Sequence, residues 1–135
     1  MLEKKNIAIL LSNGDYDSVV NLLLHAKQEP SLEWVASFED CLSPEILFCF
    51  LNYLIAKEDS AENRILLCKF VMYINEFFDD IYVTVRYHVL RPLPSLSERK
   101  ELFEWALFVF DDGNPDAPFS EKELKIMRNV VSSTE

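Results

Sequence analysis

The chain has 135 residues, half of them hydrophobic, and its 23 acidic residues outnumber its 13 basic ones, which gives a net charge of −10. A chain of this length can close one hydrophobic core without metals or disulfides, and this apolar content excludes an intrinsically disordered protein. The negative charge repels nucleic acid and attracts basic protein surfaces. We therefore expect one folded domain over residues 1–135 that does not bind nucleic acid.

The first three predicted helices are recognised by their caps and breakers. A short amphipathic helix is expected to end at Asn13-Gly14, because glycine adopts the left-handed conformation that closes a helix. Asp15 is expected to cap the second helix, which should end at Glu29-Pro30 since the residue before proline avoids the helical region. Ser31 is expected to start a third, short helix that reaches to about residue 40.

The fourth and fifth predicted helices form the middle of the chain. Ser43 and Pro44 predict a strong helix start, because serine is a preferred cap and proline is favoured at the first helical position. The helix that follows, to about residue 57, is apolar nearly all round, which is typical of the middle of a bundle. Ser60 is expected to cap a longer fifth helix that ends near Asp79-Asp80.

Residues 81 to 90 are rich in β-branched and aromatic side chains, which favour strands. A lone strand would have no partner, because no other segment of the chain alternates comparably, so we interpret this stretch as a helix. Ser97 is expected to open the next helix, to Phe110, and Ser120 begins a capping box for the last one. Seven or eight helices joined by short polar turns predict an all-α fold, either a bundle or a short stack of antiparallel helical hairpins.

No pattern of metal ligands is found in the sequence. Cys41, Cys49 and Cys68 include no C-x-x-C pair and are expected to be free thiols. His25 and His88 are more than sixty residues apart, so a metal site or a histidine base is not expected. The acidic loop over residues 111–116 departs from the EF-hand pattern, because its glycine stands third rather than sixth. We expect no metal and no cofactor.

Catalytic and membrane motifs are missing as well. Two glycines are too few for a phosphate-binding loop, and no G-x-S-x-G element is present, so we expect that the chain is not an enzyme. The longest apolar run, over residues 46–56, is about half of the ~20 residues that a membrane span requires. The N-terminal residues do not resemble a signal peptide, and we expect a cytoplasmic protein without a membrane partner.

The acidic residues are concentrated between Glu29 and Glu62. This segment holds eight acids and one base, Lys57, and therefore −7 of the net charge of −10. Complementary charge accelerates association, and aromatic residues among charges are typical of interfaces. A solvated acidic surface is the alternative, as is a core position for the tryptophan. The candidate partner-binding residues are Glu33, Trp34, Glu39, Asp40, Glu45, Glu58, Asp59 and Glu62.

In size, acidity and helical content the chain resembles the bacterial immunity proteins that neutralise toxins of competitor cells, including those of contact-dependent inhibition systems. This resemblance is one of overall character and covers no diagnostic motif, so it assigns no residue. It implies a non-catalytic protein that binds a basic toxin, in many cases a nuclease, and covers its cationic cleft. The alternative is an adaptor or regulatory domain that binds a peptide or helix in a groove lined by Trp34, Tyr53 or Phe78.

Overall fold

The computed structural model describes residues 3–74, 80–110 and 117–133, and the regular elements in these ranges are all α-helices. The all-α fold that the sequence predicts is therefore confirmed. In chain order the helices of these ranges are α1 (Lys4–Ser12), α2 (Tyr16–His25), α3 (Leu32–Ala36), α4 (Pro44–Lys57), α5 (Ala61–Tyr73), α6 (Ile81–Leu90), α7 (Leu96–Phe110) and α8 (Glu121–Ser132).

The chain divides into two compact units, Met1–Lys57 and Glu58–Glu135. The first unit contains α1 to α4 and the second contains α5 to α8. Each unit has its own set of buried apolar side chains. The expectation of a single domain over residues 1–135 stays a prediction.

In the first unit, α1 contacts both α2 and α4. The turn between α1 and α2 is closed by Gly14 in the left-handed conformation, with φ of +74°, and by Asp15, whose carboxylate accepts from the Ser18 amide. Aromatic rings bring α2 and α3 to α4, since Tyr16 and Trp34 lie 5.6 Å and 6.1 Å from the ring of Phe50. The buried side chains of α4 are Leu47, Phe50, Leu51, Leu54 and Ile55.

In the second unit, α5 contacts α6 and α7, and α7 contacts α6 and α8. Residues 81–90 form a helix, as interpreted from the sequence, and this helix buries Val85, His88 and Val89. The predicted capping box of α8 is present, because Ser120 and Glu123 exchange hydrogen bonds between side chain and backbone. The core of this unit is formed by Ala61, Cys68, Val85, Val89, Leu93, Leu102, Ala106, Phe110, Phe119, Leu124 and Met127.

Several predicted helix bounds differ from the structure: α2, α3 and α5 end earlier than expected, α3 at Ala36 rather than near residue 40, and α7 begins earlier. Helix α2 ends at His25 rather than at Glu29-Pro30, because Lys27 takes a left-handed conformation with φ of 54° and the Gln28 amide bonds back to the Leu23 carbonyl at 2.9 Å. This is a Schellman-type closure formed without glycine.

Helix α7 begins two residues earlier than expected. The hydroxyl of Ser95, not that of Ser97, accepts from the Glu98 amide at 3.4 Å, so the helix starts at Leu96. Helix α5 ends at Tyr73, before the expected stop at Asp79-Asp80, and residue 79 lies outside the described residues. Within the described ranges, no helix combines the length and the apolar character that crossing a membrane requires.

Candidate binding site

The seven acids predicted to bind a partner are all exposed to solvent. They are divided between the two units, and the candidate residues in the first unit are Glu33, Trp34, Glu39, Asp40 and Glu45. Glu58, Asp59 and Glu62 belong to the second unit. The sequence therefore predicted the exposure of the charged side chains, whereas their grouping into two sets follows only from the structure.

Charged residues of this acidic segment pair with residues of opposite charge that lie outside it. Its one base, Lys57, lies 3.1 Å from Asp17, which precedes the segment. Asp40 pairs with Lys4 at 3.1 Å, and Asp59 is bonded to Arg64. Asp40 and Asp59 are thus paired within the chain and need separate treatment in any charge-reversal experiment.

Two clefts of the first unit open on the same lysine, Lys4 of α1. The larger has a volume of about 710 Å³ and lies between α1 and residues 40–42, and its lining includes Ile9, Asp40 and Cys41. The smaller, of about 420 Å³, is lined by Lys4, Trp34 and Phe38, among others. Candidate residues from the sequence therefore line both clefts, one aspartate in the larger and the tryptophan in the smaller.

Between these clefts, Lys4 makes two contacts of different chemistry. Its ammonium donates to Asp40 Oδ1 at 3.1 Å and lies 5.7 Å from the centroid of the Phe38 ring, within the range of a cation–π interaction. The hydrogen bond and the positive charge of Lys4 lower the pKa of the Asp40 carboxyl. An acidic group and an aromatic ring thus hold one cationic side chain at the surface of this unit.

Trp34 is partly buried, neither fully enclosed in the core nor fully exposed, and its role in binding a partner stays a prediction. Its ring lies 4.9 Å from the Phe38 ring in an edge-on arrangement, and it also lines the smaller cleft. The other aromatic candidate, Tyr53, donates a hydrogen bond to the Asp17 carboxylate, while Lys57 lies 5.6 Å from its ring. Phe78, the third one, lies outside the described residues.

The second unit contains a polar cluster that the sequence did not predict, centred on Arg64 of α5. The Arg64 side chain is fully buried, and its guanidinium donates to both oxygens of Asp59, each at 2.7 Å. The same guanidinium donates to the carbonyls of His88 and Arg91. These carbonyls stand at the end of α6, where a helix lacks intrahelical donors, so Arg64 satisfies them from a neighbouring helix.

His88 is part of the same cluster and is held neutral. Burial lowers the pKa of His88 to about 4, and the nearby charges of Arg91 and Arg64 add to the effect. Its Nδ1 atom is buried and has no hydrogen-bond partner within the described residues. Through the guanidinium of Arg64, the cluster joins α5 to Asp59 and to the carbonyls at the end of α6, which stabilises the packing of these elements.

The described residues contain no group of three or more His, Cys, Asp or Glu side chains that could hold a metal ion. All three cysteines are free, as predicted, but only Cys68 is buried. Burial raises the pKa of the Cys68 thiol to about 12, whereas Cys49 of α4 is exposed. The acidic loop weighed as a calcium site, residues 111–116, lies outside the described residues.

Comparisons of the chain with protein-family models, with curated proteins and with solved structures find no match.

Proposed function

We propose that the chain is a non-catalytic, cytoplasmic binding protein that recognises a basic protein partner through its acidic segment. The observation that carries this proposal is the exposure of all seven candidate acids, although the chain is half hydrophobic. Exposed acids of one sign raise the rate of encounter with a cationic surface and disfavour other partners.

The more specific proposal is an immunity or inhibitor protein that neutralises a basic toxin. A nuclease is a fitting target class, because its substrate cleft must be cationic to bind nucleic acid. An acidic protein that covers such a cleft occludes the substrate and needs no catalytic group of its own. Inhibition would then follow from binding alone.

A salt-dependence experiment tests the general proposal. The binding partner to examine first is a basic protein encoded by a neighbouring gene, purified in an inactive form. Isothermal titration in about 50 mM and about 500 mM salt should show an affinity that falls at least tenfold, because surface charges are screened at the higher concentration. Tight binding that is insensitive to salt would contradict the acidic interface.

Charge reversal then locates the interface on one unit or the other. Glu33→Lys with Glu45→Lys alters the first unit, and Glu58→Lys with Glu62→Lys alters the second. Glu101→Lys with Glu104→Lys is the matched control, since both of these acids are exposed on α7, outside the acidic segment. We expect a loss of about tenfold or more for an interface variant and less than about threefold for the control. Equal losses in all three variants would indicate net charge rather than a defined surface.

A second candidate function is favoured by the position of Trp34 beside the smaller cleft. An adaptor that binds a peptide or helix there would depend on apolar contact. Its affinity would change little with salt and would fall strongly in Trp34→Ala. The same titration therefore separates the two functions.

A further inference from the structure

Lys4 occupies a site with the features of a binding site for a cationic side chain. Its ammonium is held by the Asp40 carboxylate on one side and by the Phe38 ring on the other. Carboxylate and aromatic face are the two partners that a lysine or arginine from another protein would seek. Asp40 and Phe38 therefore suit a cationic side chain, and Lys4 of the same chain lies against both.

The contacts that hold Lys4 are exchangeable. The Lys4 side chain is 47% exposed and that of Asp40 is 75% exposed, so water competes for both groups. Exposed ion pairs and exposed cation–π contacts are among the weakest ionic interactions in proteins. An incoming cation of similar chemistry would compete with Lys4 for the exposed Asp40 carboxylate and for the Phe38 ring, which is buried and which Lys4 borders.

Space for an incoming side chain is present on both sides of the ion pair. The clefts of about 710 Å³ and about 420 Å³ meet at Lys4, which lines each of them. The larger is lined by apolar Ala8 and Ile9 as well as by polar groups, and the smaller by Trp34. Displacement of Lys4 would open space beside Asp40 and Phe38 for the segment that carries the incoming cation.

We propose that Asp40 and Phe38 form a binding site for a lysine or arginine side chain of a basic partner, and that Lys4 occupies this site until the partner displaces it. The inference rests on the proposed function, which it deepens by assigning one contact and its internal competitor. Lys4 then lowers the affinity of the free chain for cations, because only the fraction of molecules with an open site can bind.

The test uses octalysine as the probe and the full chain as the binder. Trp105→Phe provides the parent, in which Trp34 beside Phe38 is the sole tryptophan and reports on the site by its fluorescence. Lys4→Gln removes the internal competitor. Lys125→Gln is the matched control, because it removes the same charge from an exposed position of α8 that lines neither cleft, and so changes the net charge equally. Circular dichroism checks that each variant is folded.

We expect Lys4→Gln to bind octalysine about threefold to tenfold more tightly than the parent, the range that a weak surface ion pair and a cation–π contact allow. Lys125→Gln should stay within about twofold of the parent, the change due to net charge alone. Asp40→Asn should weaken binding, and in its background Lys4→Gln should give no gain. Equal effects of the two lysine substitutions, or a gain from Lys4→Gln that persists in Asp40→Asn, would overturn the proposal.

Failure of this inference can be told apart from failure of the proposed function. If Lys4→Gln leaves octalysine binding unchanged while a basic protein still binds in a salt-dependent way, the function stands and the cation site is wrong. If the effect of Lys4 is found but basic proteins bind no better than neutral ones, the cation site stands and the proposed function is wrong.

Discussion

Replacement of Arg64 by alanine should be the most destabilising single polar substitution in the second unit. The side chain is 0% exposed, and it donates to two carboxylate oxygens of Asp59 and to the carbonyls of His88 and Arg91. Removing one partner of a buried ion pair costs about 3–5 kcal/mol of unfolding free energy. The Asp59 side chain is 36% exposed, so water can replace part of its lost hydrogen bonds and reduce this cost. The carbonyls left without a donor and the cavity left by the side chain increase the cost.

We therefore expect Arg64→Ala to lower the free energy of unfolding by about 3–5 kcal/mol. Arg86 provides a matched control, because it also donates to both oxygens of one carboxylate, that of Glu123, but its side chain is 43% exposed. For Arg86→Ala a loss of about 1 kcal/mol is expected, as for other surface pairs. The two arginines differ in burial and in the backbone carbonyls they bond, since Arg64 donates to two and Arg86 to one, that of Pro118.

Urea denaturation provides the measurement, followed by the fluorescence of Trp105 in a Trp34→Phe background so that the signal comes from the second unit. With a slope of about 2 kcal/mol per molar urea, a loss of about 4 kcal/mol moves the midpoint by about 2 M. Equal losses for Arg64→Ala and Arg86→Ala would refute the argument that burial sets the magnitude. Arg64→Lys should recover little, because an ammonium cannot reach four acceptors in the geometry of a guanidinium.

Two further predictions concern pH and a backbone conformation. Because the pKa of His88 is lowered to about 4 in the folded chain, from an ordinary value of 6.5, the unfolded chain takes up the proton at higher pH. Stability from this residue is thus fully present above about pH 6.5 and is lost as the pH falls towards 4, by at most about 3 kcal/mol. Urea titrations at pH 7 and pH 5 should show this loss of stability in the parent and a smaller loss in His88→Gln. Replacement of the exposed His25 by Gln should leave the loss as it is in the parent. If His88→Gln loses as much stability as the parent, groups other than His88 are responsible. Lys27→Gly should raise the free energy of unfolding by about 0.5–1 kcal/mol, because its φ of 54° is costly for lysine and open to glycine. The reverse change at Gly14, to alanine, should lower stability by about 1–2 kcal/mol although a Cβ there would meet no atom within 4 Å, and a thermal melt that shows no loss would contradict the conformational argument.

Helix starts in this chain were predictable because a cap is a local interaction. Ser31, Ser60 and Ser120 each accept a hydrogen bond from the amide three residues later, and the signal for this lies within four residues of sequence. Helix ends were less predictable, since Lys27 closes α2 in a conformation that favours glycine or asparagine. The sequence signal pointed instead to proline at position 30.

The candidate binding site was likewise predictable from the sequence only in part. Exposure of the acids could be predicted from the sequence, because an ionised carboxylate is rarely buried unless it is paired. Their pairing could not, because Asp40 meets a lysine 36 residues away in the chain. The clefts around Lys4 depend on the same long-range contact and had no signal in the sequence.

By itself the sequence determined the helical class, most of the helix starts and the surface charge, which follow from propensity, capping and the cost of burying ions. The tertiary structure alone decided that Arg64 is buried and that the acids fall into two sets. It also decided that Lys4 lies on Phe38 and Asp40. Each of these depends on which distant residues meet when helices pack, and packing is a property of the assembled surfaces rather than of any local pattern.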